Sequence, residues 1–467
     1  MRKFRTVDTF CFLLYNCNIR AGGVFVLKLK KNVDFLIKEL LCAGHSAFCV
    51  GGAVRDLLLN KTPYDFDVTT SATPDEVKSI FSKTIDTGIK HGTVTVLVDN
   101  EPIEVTTFRA DGEYLDSRKP ESVTLVKDVK EDLSRRDFTI NALCYNDDEG
   151  LIDLFGGVDD LKNKVIRAIG DAQKRFREDA LRILRAVRFS AQLGFKIEEK
   201  TKTAIKKCAP LVKNLSVERI IAEIDKIIMS DSPEHLKILY DLGVLELIMP
   251  EMCACFRQEQ NIKWHIYDVG THSVNVIKNC PKKLYLRYAA LMHDWGKPYC
   301  LGKNDEGEDT FRNHANVSVE LAQKFLAYYK FSNDNKDKIV RLVKFHDLEI
   351  LPEKKYVKRA INKVGDDLFL DLCSLKRADC LSQNLELTSP RLDYIDELER
   401  IYKEIKENNE GISLKDLKVN GDDIKSLGFS GKKIGEILSF LLEHIIENPE
   451  DNEKEILIDL VKKTDFM

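Results

Sequence analysis

Two aspartates two residues apart, Asp65 and Asp67, follow shortly after a Gly51-Gly52 pair. On a strand such residues share a face, so the carboxylates converge while Phe66 turns toward the core. Adjacent carboxylates repel unless a cation lies between them, and their hard oxygens, completed by substrate phosphates, suit Mg2+. Glu104, flanked by Ile103 and Val105, is placed to add a third oxygen. The glycines let backbone N–H groups approach a triphosphate with no side chain in the way. A DxD by itself is a common surface acidic strand; joined to the Gly-Gly turn, it points to nucleotidyl transfer.

Two further sets carry chemistry. Glu178-Asp179-Ala180-Leu181-Arg182 sets an acceptor three residues from a guanidinium fork, neighbours on one helix face. That pair matches the Watson–Crick edge of cytosine or, with a small shift, adenine, and not that of guanine or uracil. In isolation it reads as an intrahelical salt bridge, and Glu178 with Arg182 offers another. Arg135, Arg136 and Asp137 combine phosphate-pairing cations with a carboxylate able to accept from a ribose 2′-hydroxyl. Alone they would be a helix-start aspartate beside two surface arginines. Downstream, five of the nine histidines fall between 265 and 346, including His272, His293-Asp294, His314 and His346-Asp347, with Asp379 beyond. One histidine there would be a core or surface residue. The ordered set is a metal pattern, and imidazole with carboxylate suits Mn, Ni, Fe or Zn.

The elements that must position these groups change along the chain. Ser46–Val50 reads as a strand entering the Gly-Gly turn, and Ala53–Asn60 has helical spacing. Asp65–Thr70 is a strand, and Thr73-Pro74-Asp75-Glu76 is a capped helix start. Gly92–Val98 and Ile103–Arg109 alternate about a turn at Asp99-Asn100-Glu101-Pro102, predicting an antiparallel pair. From about residue 160 helical spacing takes over, as at Leu181, Leu184, Val187 and Ala191. Ile434, Ile437, Leu438, Leu441, Leu442 and Ile445 make one stripe of a final long helix.

At 467 residues the chain is large enough for about three domains. With 43% hydrophobic and 32% charged residues it is neither collagenous nor disordered. Its apolar runs fall short of the roughly 18 residues of a membrane helix, so no membrane partner is expected. Twelve scattered cysteines without a CxxC pair read as reduced thiols in a cytoplasmic protein. Net charge is −4, yet residues 161–226 carry 17 Lys or Arg against 8 Asp or Glu; this suits a phosphate-facing surface or, more simply, a solvated helical face. The opening segment has a basic start and a short apolar patch, interrupted by Asp8, Asn16 and Asn18, with no small-residue cleavage site. Gly22-Gly23 before Val24, Val26 and Leu27 is what a ribosome-binding purine run would give in translation. Residues 1–27 are therefore read as an extension that need not be native, with a start near Val26.

VGGAVRDLLLN with Tyr64-Asp65-Phe66-Asp67, RRDFTINAL at 135–143 and EDALRILRAVRF at 178–189, in that order, resemble the class II tRNA nucleotidyltransferase and poly(A) polymerase family, and within it the CCA-adding enzymes, from about residue 28 onward. The resemblance implies an α+β chain: a polymerase-β-like α/β nucleotidyltransferase head over 28–160, an all-helical basic neck over 161–228, a helical body with an HD domain over 229–400, and a helical tRNA-binding tail over 401–467. It makes Asp65, Asp67 and Glu104 catalytic, the first two as Mg2+ ligands. Nucleotide binding falls to Gly51, Gly52, Arg55, Arg135, Arg136, Asp137, Asn141, Asp179, Arg182, Arg185 and Arg188. The implied partners are tRNA, ATP and CTP, and the implied reaction is two-metal displacement of pyrophosphate. RADGEYLDSRKP at 109–120 is similar to the flexible loop that in relatives permits the switch to the terminal A. The histidine set resembles the HD phosphohydrolases. That would make His272, His293, Asp294 and Asp379 ligands of one divalent metal, and His314 and His346 a second position; Trp295 stands where Ile is commoner. The neighbouring readings are a poly(A) polymerase or dedicated A-adding enzyme, and an HD phosphohydrolase acting on RNA ends.

Overall fold

The computed structural model describes residues 26–111, 123–261, 263–408, 410–411, 413–464 and 466. Residues 1–25 and most of the 109–120 loop lie outside them, so the expectations placed there have no structural counterpart. The described chain divides between Ile248 and Met249 into two compact units.

The first unit opens with helix α1 (Lys31–Cys42), strand β1 (Ala47–Val50), α2 (Gly52–Leu58), β2 (Asp67–Thr70), α3 (Pro74–Ile80), β3 (Thr84–Gly88), β4 (Thr93–Val98) and β5 (Glu101–Thr107). Then come β6 (Arg109–Asp111), β7 (Val123–Leu125), α4 (Val129–Ser134), β8 (Leu143–Asn146), β9 (Gly150–Asp153) and α5 (Gly157–Asn163). Seven of the strands form one mixed sheet in the order β3-β4-β5-β2-β1-β8-β9. Only β2 and β5 run parallel, in a register that sets Asp67 opposite Glu104. Thr73 caps α3 in a complete capping box with Glu76, as its sequence demands.

Three expectations are corrected here. β2 begins at Asp67, so Asp65 precedes the strand instead of sharing its pleat, and Phe66 is only partly buried. The β4–β5 turn is tighter than expected: Asp99 and Asn100 both take positive φ, 52° and 64°, and Pro102 is already paired with Leu97. Asp and Asn tolerate that left-handed region, which a two-residue hairpin requires. The β8–β9 hairpin went unanticipated because all four residues of β8 are buried and a strand covered on both faces shows no alternation.

The neck follows as β10 (Val165–Ile166), α6 (Ala172–Glu178), α7 (Leu181–Leu193), β11 (Lys196–Ile197), α8 (Glu199–Cys208), α9 (Val217–Ile228) and α10 (His235–Asp241). It is not all-helical, since β10 and β11 pair in parallel. Nor does the unit end at 228: His235 of α10 bonds Ser190 of α7 through Nε2, at 3.0 Å.

The second unit is helical apart from one short hairpin: α11 (Pro250–Arg257), α12 (Val269–Asn279), α13 (Leu284–Met292), α14 (His314–Tyr328), α15 (Asn333–Phe345), α16 (Lys354–Val364), α17 (Phe369–Leu381), α18 (Leu385–Glu407), α19 (Gly421–Ser426), α20 (Lys432–Glu447) and α21 (Lys454–Lys463). α18 runs unbroken across the boundary expected at 400. The apolar stripe expected for a final helix lies on α20, where Ile437, Leu441, Leu442 and Ile445 are buried, but α21 follows and packs Leu457 and Val461 into the same core. All ten described cysteines are free thiols.

Candidate active site

In the first unit a cavity of about 750 Å3 opens between the sheet and the neck. Its lining includes Gly51, Gly52, Arg55, Asp65, Asp67, Arg135, Arg136, Asp137, Asn141, Asp179, Arg182, Arg185 and Arg188. Every nucleotide-site residue expected from the sequence is thus brought together except Glu104, which stands opposite Asp67 one strand away. The volume is in the range of small-molecule sites.

Gly51 makes the turn possible. Its φ is +75°, and a Cβ there would stand 3.0 Å from Arg136 Nη1. Its own N–H is engaged with Leu143 O at 3.0 Å, so Gly51 offers clearance for a phosphate and no free donor. Across the floor, the cavity wall's desolvation and then Asp65 push the Asp67 carboxyl up to about 6, with Glu104 adding and Arg136 opposing. A carboxylate raised by burial and by two carboxylate neighbours belongs to a hard-oxygen donor set, and that set fits Mg2+.

A second layer holds the cations. Asp132, missed in the sequence, is fully buried and binds Arg135 at 2.7 Å and Arg136 at 3.3 Å, aiming both guanidiniums. Asp137 accepts from Arg185 at 2.6 Å, from Asn141 Nδ2 at 3.1 Å and from the Phe138 N–H at 2.8 Å. Burial would raise its carboxyl, but Arg185 and Asn141 overcome this and hold it down near 2. The folded value lies below the roughly 3.9 of an unfolded aspartate. The bond therefore stabilises the fold above pH ~4 and is lost as pH falls through ~2, an effect of about 2–3 kcal/mol. Asp137→Asn should flatten the acid limb of thermal stability over that window, as read by unfolding melts at stepped pH.

Phe189 is the other residue that sequence reasoning passed over. Its ring carries Arg188 at 4.0 Å and Arg55 and Arg185 at 5.2 Å, a cation–π platform for three of the expected arginines. Arg188 also pairs with buried Glu223 of α9 at 3.1 Å. No local motif marks Glu223, because α7 meets α9 only in the folded neck, whereas Phe189 closes the 178–189 segment beside Arg188.

The base-reading pair is arranged differently from expectation. Asp179 does not share a helix with Arg182; α6 ends at Glu178, and Asp179 takes an extended φ of −142° in the break before α7. Glu178 binds both Arg175, at 2.9 Å, and Arg182, at 2.8 Å, so the alternative salt bridge is formed. Arg182 Nη2 also donates to Arg135 O at 2.7 Å, tying neck to head. Asp179 pairs with Arg219 of α9.

The family follows from comparison with known proteins. Residues 47–167 match the model of the poly A polymerase head domain, 194–256 the "Probable RNA and SrmB- binding site of polymerase A", and 310–461 the tRNA nucleotidyltransferase domain 2. The CCA-adding enzyme of Streptococcus gordonii is 33% identical over 431 residues, 92% of this chain and 96% of the relative. The chain belongs to the CCA-adding enzymes. That of Lactobacillus helveticus is 54% identical over 228 residues, 47% of this chain; there the chain spans only 57% of the relative's length. The solved CCA-adding enzyme of Bacillus stearothermophilus, in complex with CTP, is 30% identical with a TM-score of 0.68, covering 93% of this chain and 98% of that one. The Thermotoga maritima CCA-adding enzyme complexed with tRNA shares the fold, at 21% identity, TM-score 0.58, and coverage of 92% and 94%.

The second unit brings the histidine set together as well. His272 of α12 lies 2.9 Å from Asp379 of α17 and 3.8 Å from Asp294. His293 Nε2 is 3.1 Å from Asp294 Oδ2. On the other side, His314 and His346 approach Asp294 Oδ1 at 3.3 and 3.8 Å, and their Nε2 atoms are 3.1 Å apart. Each Nδ1 faces a backbone carbonyl: Ser382, Ala290, Phe311 and Val343 for His272, His293, His314 and His346. Donation there leaves every Nε2 a lone pair pointed at carboxylate or imidazole acceptors. Facing acceptors need a cation between them. Nε2 of His272 and His293 are buried with no hydrogen-bond partner among the described residues, and Asp294 Oδ2 is met by Lys297 Nζ at 2.8 Å. The donor set therefore fits one divalent ion at His272, His293, Asp294 and Asp379, with Asp294 shared by a second position at His314 and His346. Gly296 is required by close packing, since a Cβ would fall 2.2 Å from His314 O. Trp295 is fully buried, its ring edge-on to Phe325 at 5.4 Å.

Proposed function

We propose that this chain adds or repairs the 3′-terminal CCA of tRNA from CTP and ATP, releasing pyrophosphate by in-line attack of the RNA 3′-hydroxyl on the α-phosphate. The observation that carries this reading is the single cavity shared by the Asp65–Asp67 carboxylates, the arginine layer and the Asp179–Arg182 pair. Mg2+ at Asp65 and Asp67, when bound, supplies the charge neutralisation of two-metal nucleotidyl transfer. Arg135 and Arg136, aimed by Asp132, bind phosphate oxygens. Asp137, held by Arg185 and Asn141, presents its remaining acceptor capacity to a ribose hydroxyl. Asp179 and Arg182 read the base as acceptor and donor. The reduced thiols and the substrate suit the cytoplasm.

The test is to incubate purified protein and Mg2+ with tRNA transcripts ending before CCA, after C and after CC, with CTP, ATP or both. Growth of all three to CCA and then arrest supports the reading. One A added only to the CC-ended transcript makes it an A-adding enzyme, and long A tails make it a poly(A) polymerase. Binding should also weaken steeply with salt, by at least about tenfold between 50 and 200 mM if several phosphates are neutralised. A salt-independent tRNA affinity, read by filter binding, would count against this backbone-dominated mode.

A second reading concerns the second unit, where the facing acceptors around Asp294 favour a divalent metal centre. As the HD pattern implies, that centre would serve phosphoester hydrolysis at RNA ends.

A further inference from the structure

We propose that Arg219 is a positioning residue for base selection, holding the Asp179 carboxylate in the orientation that accepts from a nucleobase amino group. This rests on the reading of Asp179 and Arg182 as the base-reading pair. The break between α6 and α7 takes Asp179 off the helix, so the helix no longer orients its side chain. Two contacts do so instead. The Leu181 N–H donates to Oδ1 at 3.0 Å, and Arg219 Nη2, reaching across from α9, donates to Oδ1 at 3.1 Å and Oδ2 at 2.9 Å. Oδ1 is thereby occupied twice and Oδ2 once, so Oδ2 keeps the capacity to accept from an incoming amino group. Arg182 is held in a parallel way from behind by Glu178 at 2.8 Å. Each half of the pair thus has its own clamp, one from the end of α6 across the break and one from α9.

Arg219 has spare capacity of its own. Its Nη1 is buried without a hydrogen-bond partner among the described residues, and the side chain lines the same cavity as Asp179. A buried guanidinium N–H that meets no acceptor is costly, and a bound nucleotide would bring one. The physical consequence concerns selectivity more than rate. A carboxylate released from Arg219 rotates about its last bond and loses its preference for a donor at the cytosine amino position. Uracil, which presents a carbonyl there, is then rejected less strongly.

The experiment measures kcat/KM for CTP and for UTP in single-nucleotide addition to a tRNA transcript lacking CCA. It uses the full chain and its Arg219→Ala, Arg219→Lys and Asp179→Asn variants, each with a melting temperature. Arg219→Ala is expected to lower the CTP:UTP ratio at least about tenfold, about 1.4 kcal/mol of discrimination, mainly through a higher KM for CTP. Arg219→Lys, a point charge without the planar fork, should recover part of it, and it decides the question should the alanine variant not fold. A ratio unchanged in the Arg219 variants but lowered in Asp179→Asn overturns the proposal. So does a fall in melting temperature with equal losses for both nucleotides, which is what a structural ion pair predicts. A ratio unchanged in Asp179→Asn overturns the base-reading assignment itself, and the proposal with it.

Discussion

Asp67→Asn should reduce nucleotide addition at least about a thousandfold while leaving tRNA binding nearly unchanged. The substitution is isosteric and removes one charge from the set formed with Asp65 and Glu104. Metal-held charge stabilisation in phosphoryl chemistry is worth several kcal/mol, and each 1.36 kcal/mol is tenfold in rate. Asp67 is the sharpest choice because its carboxyl is the one pushed up, to about 6, by its surroundings and its acidic neighbours. Its charged form is disfavoured in the metal-free fold, so removing it should hold or raise the melting temperature. Lost activity with retained stability marks a functional group, since a packing residue loses both together. Principal activity surviving in Asp67→Asn would move the chemistry out of this cavity and toward the second unit.

Asp294→Asn should abolish divalent-metal binding by the second unit and leave nucleotide addition intact. Among the described residues, Asp294 is the one whose two oxygens face both histidine pairs. Replacing one oxygen by an amide donor puts N–H groups where lone pairs must converge. Loss of even a residue that only orients a metal ligand costs about 10- to 100-fold in metal affinity, and loss of a shared ligand should exceed that. The measurements are metal content by elemental analysis after loading with Mn2+, and the rise of melting temperature with added Mn2+, which follows from binding to the native state alone. A wild-type protein with neither bound metal nor a melting shift would leave the cluster as a structural relic. Addition lost along with metal would mean that the second unit's metal serves the first unit's reaction.

Legibility differed between the two units for physical reasons. In the head, alternation at 92–98 and 103–109 and the capping box at Thr73 are local signals, and the antiparallel pair and capped helix they predict form, the second strand two residues earlier at each end. The start of β2, the Asp99-Asn100 turn and the β8–β9 hairpin were read less well, because strand ends and doubly buried strands depend on what pairs with them. In the second unit, spacing carried the histidines but could say nothing of the four carbonyls that fix their tautomers.

The sequence by itself determined which groups are offered for chemistry: the carboxylate pair, the arginine-rich segments, the ordered histidines, and the order in which they occur. These are properties of residue type and short spacing. Only the tertiary structure decided how they are held. Glu104 set opposite Asp67, Arg55 of α2 brought over Phe189 of α7, Arg188 paired with Glu223 of α9, and Asp179 held by Arg219 of α9 all join residues through packing. Such partners are chosen by which helix and sheet faces meet, and that choice rests on burial summed over the whole unit, beyond the reach of any local pattern.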